Sequence, residues 1–223
     1  MTTPLLPKPY FQRGNVTLYL GDAAQISPLL PRYDLLLTDP PYGIDIAKGG
    51  KLGSGTRRYT KSNWDKSTPP AWLLESLRAK ADSQIVWGGN YFGLPGSKGW
   101  LVWNKETPRG MSFADCELAW TNLPMVARVF TWTWVSNRSE AERQKVHITQ
   151  KPLALMKRQI IACTDFGDVV WEPFGGLCSA SIAALHTGRR SFAAEINPDY
   201  FQVAASRLEE EFTNMEERRE HAA

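Results

Sequence analysis

The sequence predicts an α/β fold in which a mostly parallel central sheet carries helices on both faces. Three observations point there. Short apolar runs recur and end in turn residues, as at Asp34-Leu35-Leu36-Leu37, Ile85-Val86-Trp87 and Val169-Val170-Trp171. Runs of that length without a polar face suit strands buried on both sides. In the last third of the chain, candidate strands and helices alternate, which is the pattern of a sheet wound from strand–helix–strand units. Two of the strands also run into loops built of Gly, Pro and an acid, the place where such sheets carry their ligands.

Taken in order, residues 16–20 alternate and meet Gly21-Asp22, a short strand into a turn. The run 34–37 reads as a parallel strand whose end delivers Thr38-Asp39-Pro40-Pro41. Residues 70–81 begin with Pro and place Trp72, Leu73, Leu74 and Leu77 on one side, a helix. Strands are predicted at 85–87, stopped by Gly88-Gly89, and at 100–103, 117–120 and 129–135. A helix over 152–163, a strand over 169–171 and a glycine turn over 173–179 follow. The chain closes with a helix over 180–186, a strand over 191–195 and an amphipathic helix over 198–212. The charged tail after Arg207 reads as a fraying helix end, and Pro4, Pro7 and Pro9 as an extended arm.

The 223 residues suit a single domain spanning 1–223. A basic, Gly- and Ser-rich mobile loop is expected at about 47–66, with Lys48, Lys51, Arg57, Arg58 and Lys61 and no acid between 47 and 61. An ordinary solvated loop has the same composition. The net charge of +3 permits nucleic-acid binding without arguing for it. Three dispersed cysteines suggest neither a metal site nor a disulfide framework. No apolar run is long enough to span a bilayer and the N-terminus lacks a secretory pattern, so no membrane partner and a cytoplasmic location are expected. The nine tryptophans are expected mostly in the core.

Trp171-Glu172-Pro173-Phe174-Gly175-Gly176 is a strand ending in an acid, followed by a glycine turn and a helix. Glycines let a backbone approach a ligand, and a helix start offers free N–H groups. Glu195 ends the next strand, at the spacing where an acid accepts hydrogen bonds from ribose hydroxyls. The phosphate-binding fingerprints Gly-x-Gly-x-x-Gly and Gly-Lys-Ser are absent. A ligand with a ribose and no phosphate fits better, and S-adenosylmethionine is one. Plain turn chemistry is the alternative.

Thr38-Asp39-Pro40-Pro41-Tyr42-Gly43 is the sharpest feature. A base amine is a poor nucleophile because its lone pair is conjugated into the ring. A carboxylate and a carbonyl that accept its two hydrogens can turn the lone pair toward a methyl donor. Asp39 can supply the first and the Pro40 carbonyl the second. Pro40 and Pro41 stiffen the loop and remove competing N–H donors. Tyr42 offers a flat face for an extruded base. The alternative is a rigid Pro-Pro turn with Asp39 as a turn residue.

These motifs together resemble the beta class of DNA amino-methyltransferases, in a short, phage-like form. The class is adenine-N6 or cytosine-N4 specific and places the catalytic motif before the cofactor motif, a permuted order that this chain shares. The resemblance extends to Gly21-Asp22-Ala23, to His147-Ile148-Thr149-Gln150-Lys151-Pro152 and to Glu195-Ile196-Asn197-Pro198 with Tyr200. It implies a Rossmann-like S-adenosylmethionine-dependent fold acting on DNA in a bacterial or phage-infected cell, within restriction–modification. A homodimer stays open, and no metal is implied. Asp39, Pro40, Pro41 and Tyr42 are then the catalytic set. By the same resemblance Asp22, Ala23, Asp39, Gln150, Lys151, Glu172, Phe174, Gly175, Gly176, Glu195, Ile196 and Asn197 hold the cofactor, with Gln150 and Lys151 at its carboxylate end. One departure stands out: Leu177-Cys178-Ser179 replace a small pair, with Cys where Gly is expected. That substitution puts a side chain into a turn that should hug the ligand, which would either weaken cofactor binding or send the turn along another path.

Asp as the first residue of the catalytic motif points, through the resemblance, to adenine N6. Cytosine N4 is the runner-up. A degenerate DNA- or cofactor-binding protein and an RNA methyltransferase are further alternatives. The class places target recognition where this chain has a small insertion at about 121–147, with Arg138, Arg143 and Lys145 as DNA contacts beside those of the basic loop.

Overall fold

A computed structural model describes residues 8–45, 65–107, 114–132 and 151–221. Among the described residues, nine strands form one sheet: β1 (Phe11–Arg13), β2 (Val16–Leu20), β3 (Tyr33–Thr38), β4 (Ala81–Trp87), β5 (Trp100–Asn104), β6 (Cys116–Thr121), β7 (Arg128–Thr131), β8 (Val169–Glu172) and β9 (Arg190–Glu195). The helices are α1 (Ala23–Ile26), α2 (Ala71–Ala79), α3 (Leu153–Cys163), α4 (Ser179–His186) and α5 (Pro198–Glu220). The strand order is β1-β2-β9-β8-β3-β4-β6-β5-β7. Strands β2, β9, β8, β3 and β4 are mutually parallel, and antiparallel pairs β1–β2, β4–β6 and β6–β5 extend the sheet on either side.

The predicted alternation and burial follow from the pleat. Successive side chains on β3 point to opposite faces. Leu35 and Leu37 pack with Ile85, Trp87 and the α3 and α4 residues Leu155, Ile160, Ala183 and Ala184. Leu36, on the opposite face, packs with Trp171 and with Ile26, Leu73, Leu74 and Leu77 of α1 and α2. A third cluster seats Phe201, Leu208 and Phe212 of α5 on Val16, Leu18 and Ile182. A continuous apolar strand is thus explained by helices on both sides of it. Trp87, Trp103, Trp120 and Trp171 are buried, while Trp72 is exposed on the outer side of α2 and not on its packed face.

The sequence reading differs at two further points. Strand β1 was not predicted; it is three residues of mixed polarity whose pairing with β2 no local pattern announces. The charged tail is not a frayed end, because α5 runs on to Glu220. Arg13 on β1 explains this, pairing with Glu209 at 2.5 Å and Glu216 at 2.6 Å, two turns apart on α5. The arm at 4–7, the basic loop as far as residue 64 and the end of the predicted strand over 129–135 lie outside the described residues, while Asp65 at the end of the expected mobile loop is buried.

The chain order reverses between β3 and β8. From β3 it steps to β4 on one side, and from β8 to β9 on the other. Loops leaving the carboxyl ends of β3 and β8 therefore diverge and leave a crevice between them, the place where open parallel sheets bind ligands. Asp39 follows β3 and Glu172 ends β8.

Candidate active site

The loop after β3 is held from several directions. Asp39 accepts a hydrogen bond on Oδ1 from the Tyr42 hydroxyl at 2.6 Å and an ion-pair bond on Oδ2 from Lys151 Nζ at 2.6 Å. Asp65, almost fully buried, accepts the backbone N–H groups of Tyr42 and Gly43 on one oxygen, at 2.7 and 2.9 Å. The Tyr42 ring stacks on Tyr91 with centroids 5.0 Å apart and planes 12° from parallel. Gly88 has φ +68, and a Cβ there would come within 2.1 Å of the Tyr42 ring, so only glycine lets the ring lie against the end of β4.

Lys151 also reaches Glu117 on β6 at 2.8 Å, and Lys105 reaches the other oxygen of Glu117 at 2.6 Å. Burial alone would lower the Lys151 pKa, but the carboxylates of Asp39 and Glu117 override it and hold the ammonium above its ordinary value. Glu117 feels burial too, yet Lys151 and Lys105 bring it down to about 2. Burial pushes the Asp39 carboxyl up and Glu117 adds to that, against the pull of Lys151 and Tyr42.

Across the crevice the acids are held by backbone. Glu172 is buried at the end of β8, and its carboxylate accepts Ala180 N at 3.0 Å, Ser181 N at 2.9 Å and Ser181 Oγ at 2.7 Å, the free donors of the first turn of α4. Burial raises its pKa to about 7, against those hydrogen bonds. Glu195 ends β9 and accepts Gly176 N and Asn197 N, each at 2.7 Å. Its carboxyl is also raised by burial. Gly176 has φ +50 and open space where a Cβ would stand, so the backbone there faces the cavity bare. Gly175 packs within 3.1 Å of the Ala194 carbonyl by the same measure.

Both halves line one cavity of about 250 Å³. The predicted residues Asp22, Ala23, Asp39, Pro41, Lys151, Glu172, Phe174, Gly175, Gly176, Glu195 and Ile196 are all on its wall, with Tyr200. Three others are placed differently. Pro40 is buried beneath the loop. Tyr42 is not on the wall, and one face of its ring is covered by Tyr91. Asn197 caps α5, its side chain accepting Asp199 N at 2.8 Å and Tyr200 N at 3.3 Å. The ammonium of Lys151 is engaged with Asp39 and Glu117, so its ties run to the catalytic loop. Gln150 and the proposed DNA contacts Lys48, Lys51, Arg57, Arg58, Lys61, Arg138, Arg143 and Lys145 lie outside the described residues.

Cys178 corrects an expectation. It adopts φ 56, ψ 42, a left-handed conformation, which is why a glycine suits the position. Its side chain is fully buried among Ile182, Ala193 and Phe201 and is not on the cavity wall. The sulfur therefore does not crowd a ligand; the cost of the substitution is backbone strain. Sequence reasoning missed Glu117, Lys105 and Asp65. An acid between Cys116 and Leu118 inside a strand was a usable sign for Glu117, since a buried carboxylate demands a cation; nothing local marked Asp65.

The lining bears on the ligand. Among the described residues, four acids (Asp22, Asp39, Glu172 and Glu195) face the cavity against one ammonium, Lys151, which is itself paired. Such a wall repels phosphates and suits a cationic ligand with hydroxyls, which is the charge and donor set of S-adenosylmethionine.

Fold and site together define a Rossmann-like methyltransferase with its catalytic loop ahead of its cofactor turn. The comparisons narrow the class. Residues 97–206 match the DNA methylase family N6_N4_Mtase. Type II methyltransferase M.ScaI of Streptomyces caespitosus is 26% identical over 261 aligned residues, covering 92% of this chain and 85% of the relative. The PvuII DNA methyltransferase, described as cytosine-N4-specific, shares the fold at TM-score 0.61 and 16% identity, over 89% of this chain and 88% of that one. M1.HpyAVI, solved as a complex with SAM, does so at TM-score 0.59 and 19% identity, over 86% and 98%. The chain is thus similar to the N6/N4 DNA methylases in sequence over residues 97–206 and in fold over most of its length.

Proposed function

We propose that this DNA amino-methyltransferase moves a methyl group from S-adenosylmethionine to N6 of an adenine extruded from the helix. The observation that carries the reading is that Asp39 shares one cavity wall with Glu172, Glu195 and the bare backbone of Gly176. When bound, S-adenosylmethionine supplies an electrophilic methyl group on a sulfonium that is already a good leaving group. Glu195 is at the right strand end to accept ribose hydroxyls, and Glu172 and Asp22 add negative charge for a cation. Asp39 accepts one amine hydrogen, which helps to turn the nitrogen lone pair toward the methyl group. As the new N–C bond forms, the Asp39 carboxylate stabilises the positive charge growing on nitrogen, and it is the nearest acceptor for the proton that nitrogen then sheds. The choice of adenine rests on Asp at position 39, through the family resemblance. Lys48, Lys51, Arg57, Arg58, Lys61, Arg138, Arg143 and Lys145 would grip phosphates and read base edges.

The test is incubation of the protein with unmethylated DNA and methyl-labelled cofactor, followed by digestion to nucleosides. Label in N6-methyldeoxyadenosine is expected. Label only in N4-methyldeoxycytidine would replace the base assignment, and absence of label in either would overturn the reading.

A further inference from the structure

Four side chains of alternating charge form a chain from the cavity wall into the sheet: Asp39, Lys151, Glu117 and Lys105. The links are 2.6, 2.8 and 2.6 Å long. Lys151 is 3% exposed and Glu117 16%, against 26% for Asp39, so the chain opens to the cavity at its Asp39 end. The rings of Trp87 and Tyr42 lie 5.4 and 5.6 Å from the ammonium and enclose it further. An ionised carboxylate has about four acceptor sites. Lys151 and Tyr42 occupy one each, on different oxygens. Asp39 is thereby fixed in direction and keeps lone pairs for an amine.

This arrangement has a difficulty that Glu117 resolves. A buried ammonium bound to a single carboxylate would cancel its charge, and a cancelled Asp39 would do little for a nitrogen becoming positive. Glu117 binds the same ammonium from the other side, and Lys105 in turn balances Glu117. We propose that Lys151 and Glu117 are positioning residues for methyl transfer. Lys151 aims the Asp39 carboxylate at the cavity, and Glu117 draws off enough of the ammonium's charge to leave Asp39 a working anion. This rests on the reading of Asp39 as the acceptor of the substrate amine.

The two residues act on Asp39 with opposite sign, and a merely structural role would not. The charged and titratable groups facing Asp39 among the described residues are Lys151 ahead of α3, Glu117 on β6 and Tyr42 on its own loop. Lys151 lowers the Asp39 pKa and Glu117 raises it. Carboxyl carbon NMR titration of Asp39 in the full-length protein therefore tests the proposal directly, whether or not the enzyme turns over. K151M is expected to move the Asp39 midpoint to higher pH and E117Q to lower pH. The double variant, which removes both buried charges and guards against misfolding, should fall between them. In methyl transfer, both single variants should lose about tenfold or more in kcat, with cofactor Kd by calorimetry little changed and the acid limb of kcat/KM following the Asp39 midpoint. K151R should recover part of the rate. Midpoints that stay put, or move the same way in both variants, would overturn the proposal. So would a K151M protein that loses cofactor affinity but keeps kcat, since Lys151 would then serve the cofactor. A wild-type protein that methylates no DNA would sink the proposed function, while the midpoints would still judge the placement of Lys151 and Glu117.

Discussion

On the β8–β9 side of the cavity, carboxylates are held by backbone; on the β3 side, by side chains. Glu172 and Glu195 take their bonds largely from N–H groups of the turn and helix that follow them, at Ala180, Ser181, Gly176 and Asn197. Asp39 takes its bonds from the Tyr42 hydroxyl and from Lys151, more than a hundred residues away in sequence. Backbone donors carry partial charge and move only if the turn moves, which suits a surface that must present one shape to a ligand. A side-chain ammonium carries full charge and tunes how strongly a carboxylate attracts a proton or a cation. On the function proposed above, one side serves binding and the other reactivity.

The sharpest way to break that contrast is to remove one acid from each side. Asp39→Ala is expected to lower kcat on the order of a thousandfold, with cofactor Kd changed only slightly, as read by labelled-methyl transfer and calorimetry. Glu195→Ala should do the reverse. It removes the acceptor for the ribose hydroxyls, a hydrogen bond to a charged group worth about 2 kcal/mol, weakening the cofactor roughly thirtyfold, with a smaller change in kcat at saturation. If Asp39→Ala chiefly weakened the cofactor, or Glu195→Ala chiefly slowed turnover, the division between binding and reactivity would fail.

A smaller effect comes from Glu172. Burial lifts its carboxyl from the ordinary 4.5 to about 7. The folded state then holds this proton more tightly than the unfolded state does. The group's contribution to stability is full below about pH 4.5 and is lost as pH rises through about 7. The thermal midpoint should fall across that window, and Glu172→Gln should flatten the fall. A cationic ligand beside Glu172 favours its ionised form, so cofactor binding near pH 7 should release protons. Calorimetry in buffers of different ionisation enthalpy reads that release, and its persistence in Glu172→Gln would place the proton elsewhere.

The same contrast explains what could be read from the sequence. Strand β8, the turn at Gly175-Gly176, the start of α4 and Glu195 follow one another along the chain, and turn chemistry announces itself locally. Strand β3 and Asp39-Pro40-Pro41-Tyr42 were legible for the same reason. The partners of Asp39 were not. Glu117 comes from an antiparallel strand and Lys105 from just past the end of its neighbour, and their meeting with Lys151 depends on the pairing of β4, β6 and β5, which residue periodicity does not encode. Lys151 was singled out, but the resemblance aimed it at the cofactor, whereas the fold ties it to Asp39. Strand β1 and the long course of α5 escaped likewise, because Arg13 links segments from opposite ends of the chain.

Cys178 offers the finest test of the backbone-built side. At φ 56 a non-glycine residue carries about 1 to 2 kcal/mol of strain. Glycine would relieve it but would give up the packing of a buried sulfur and add freedom to the unfolded chain. Those contributions nearly cancel, so Cys178→Gly should unfold within about 1 kcal/mol of the parent protein. Cys178→Ala keeps the strain and loses the sulfur, so it should be the less stable variant, by about 1 kcal/mol relative to Gly. Because the sulfur packs on Ile182 and Phe201, away from the cavity, cofactor Kd should be alike in all three proteins. An alanine variant as stable as the glycine variant would mean that the turn is not left-handed in solution. A glycine variant that bound cofactor tenfold more tightly would show that the sulfur reaches the ligand after all.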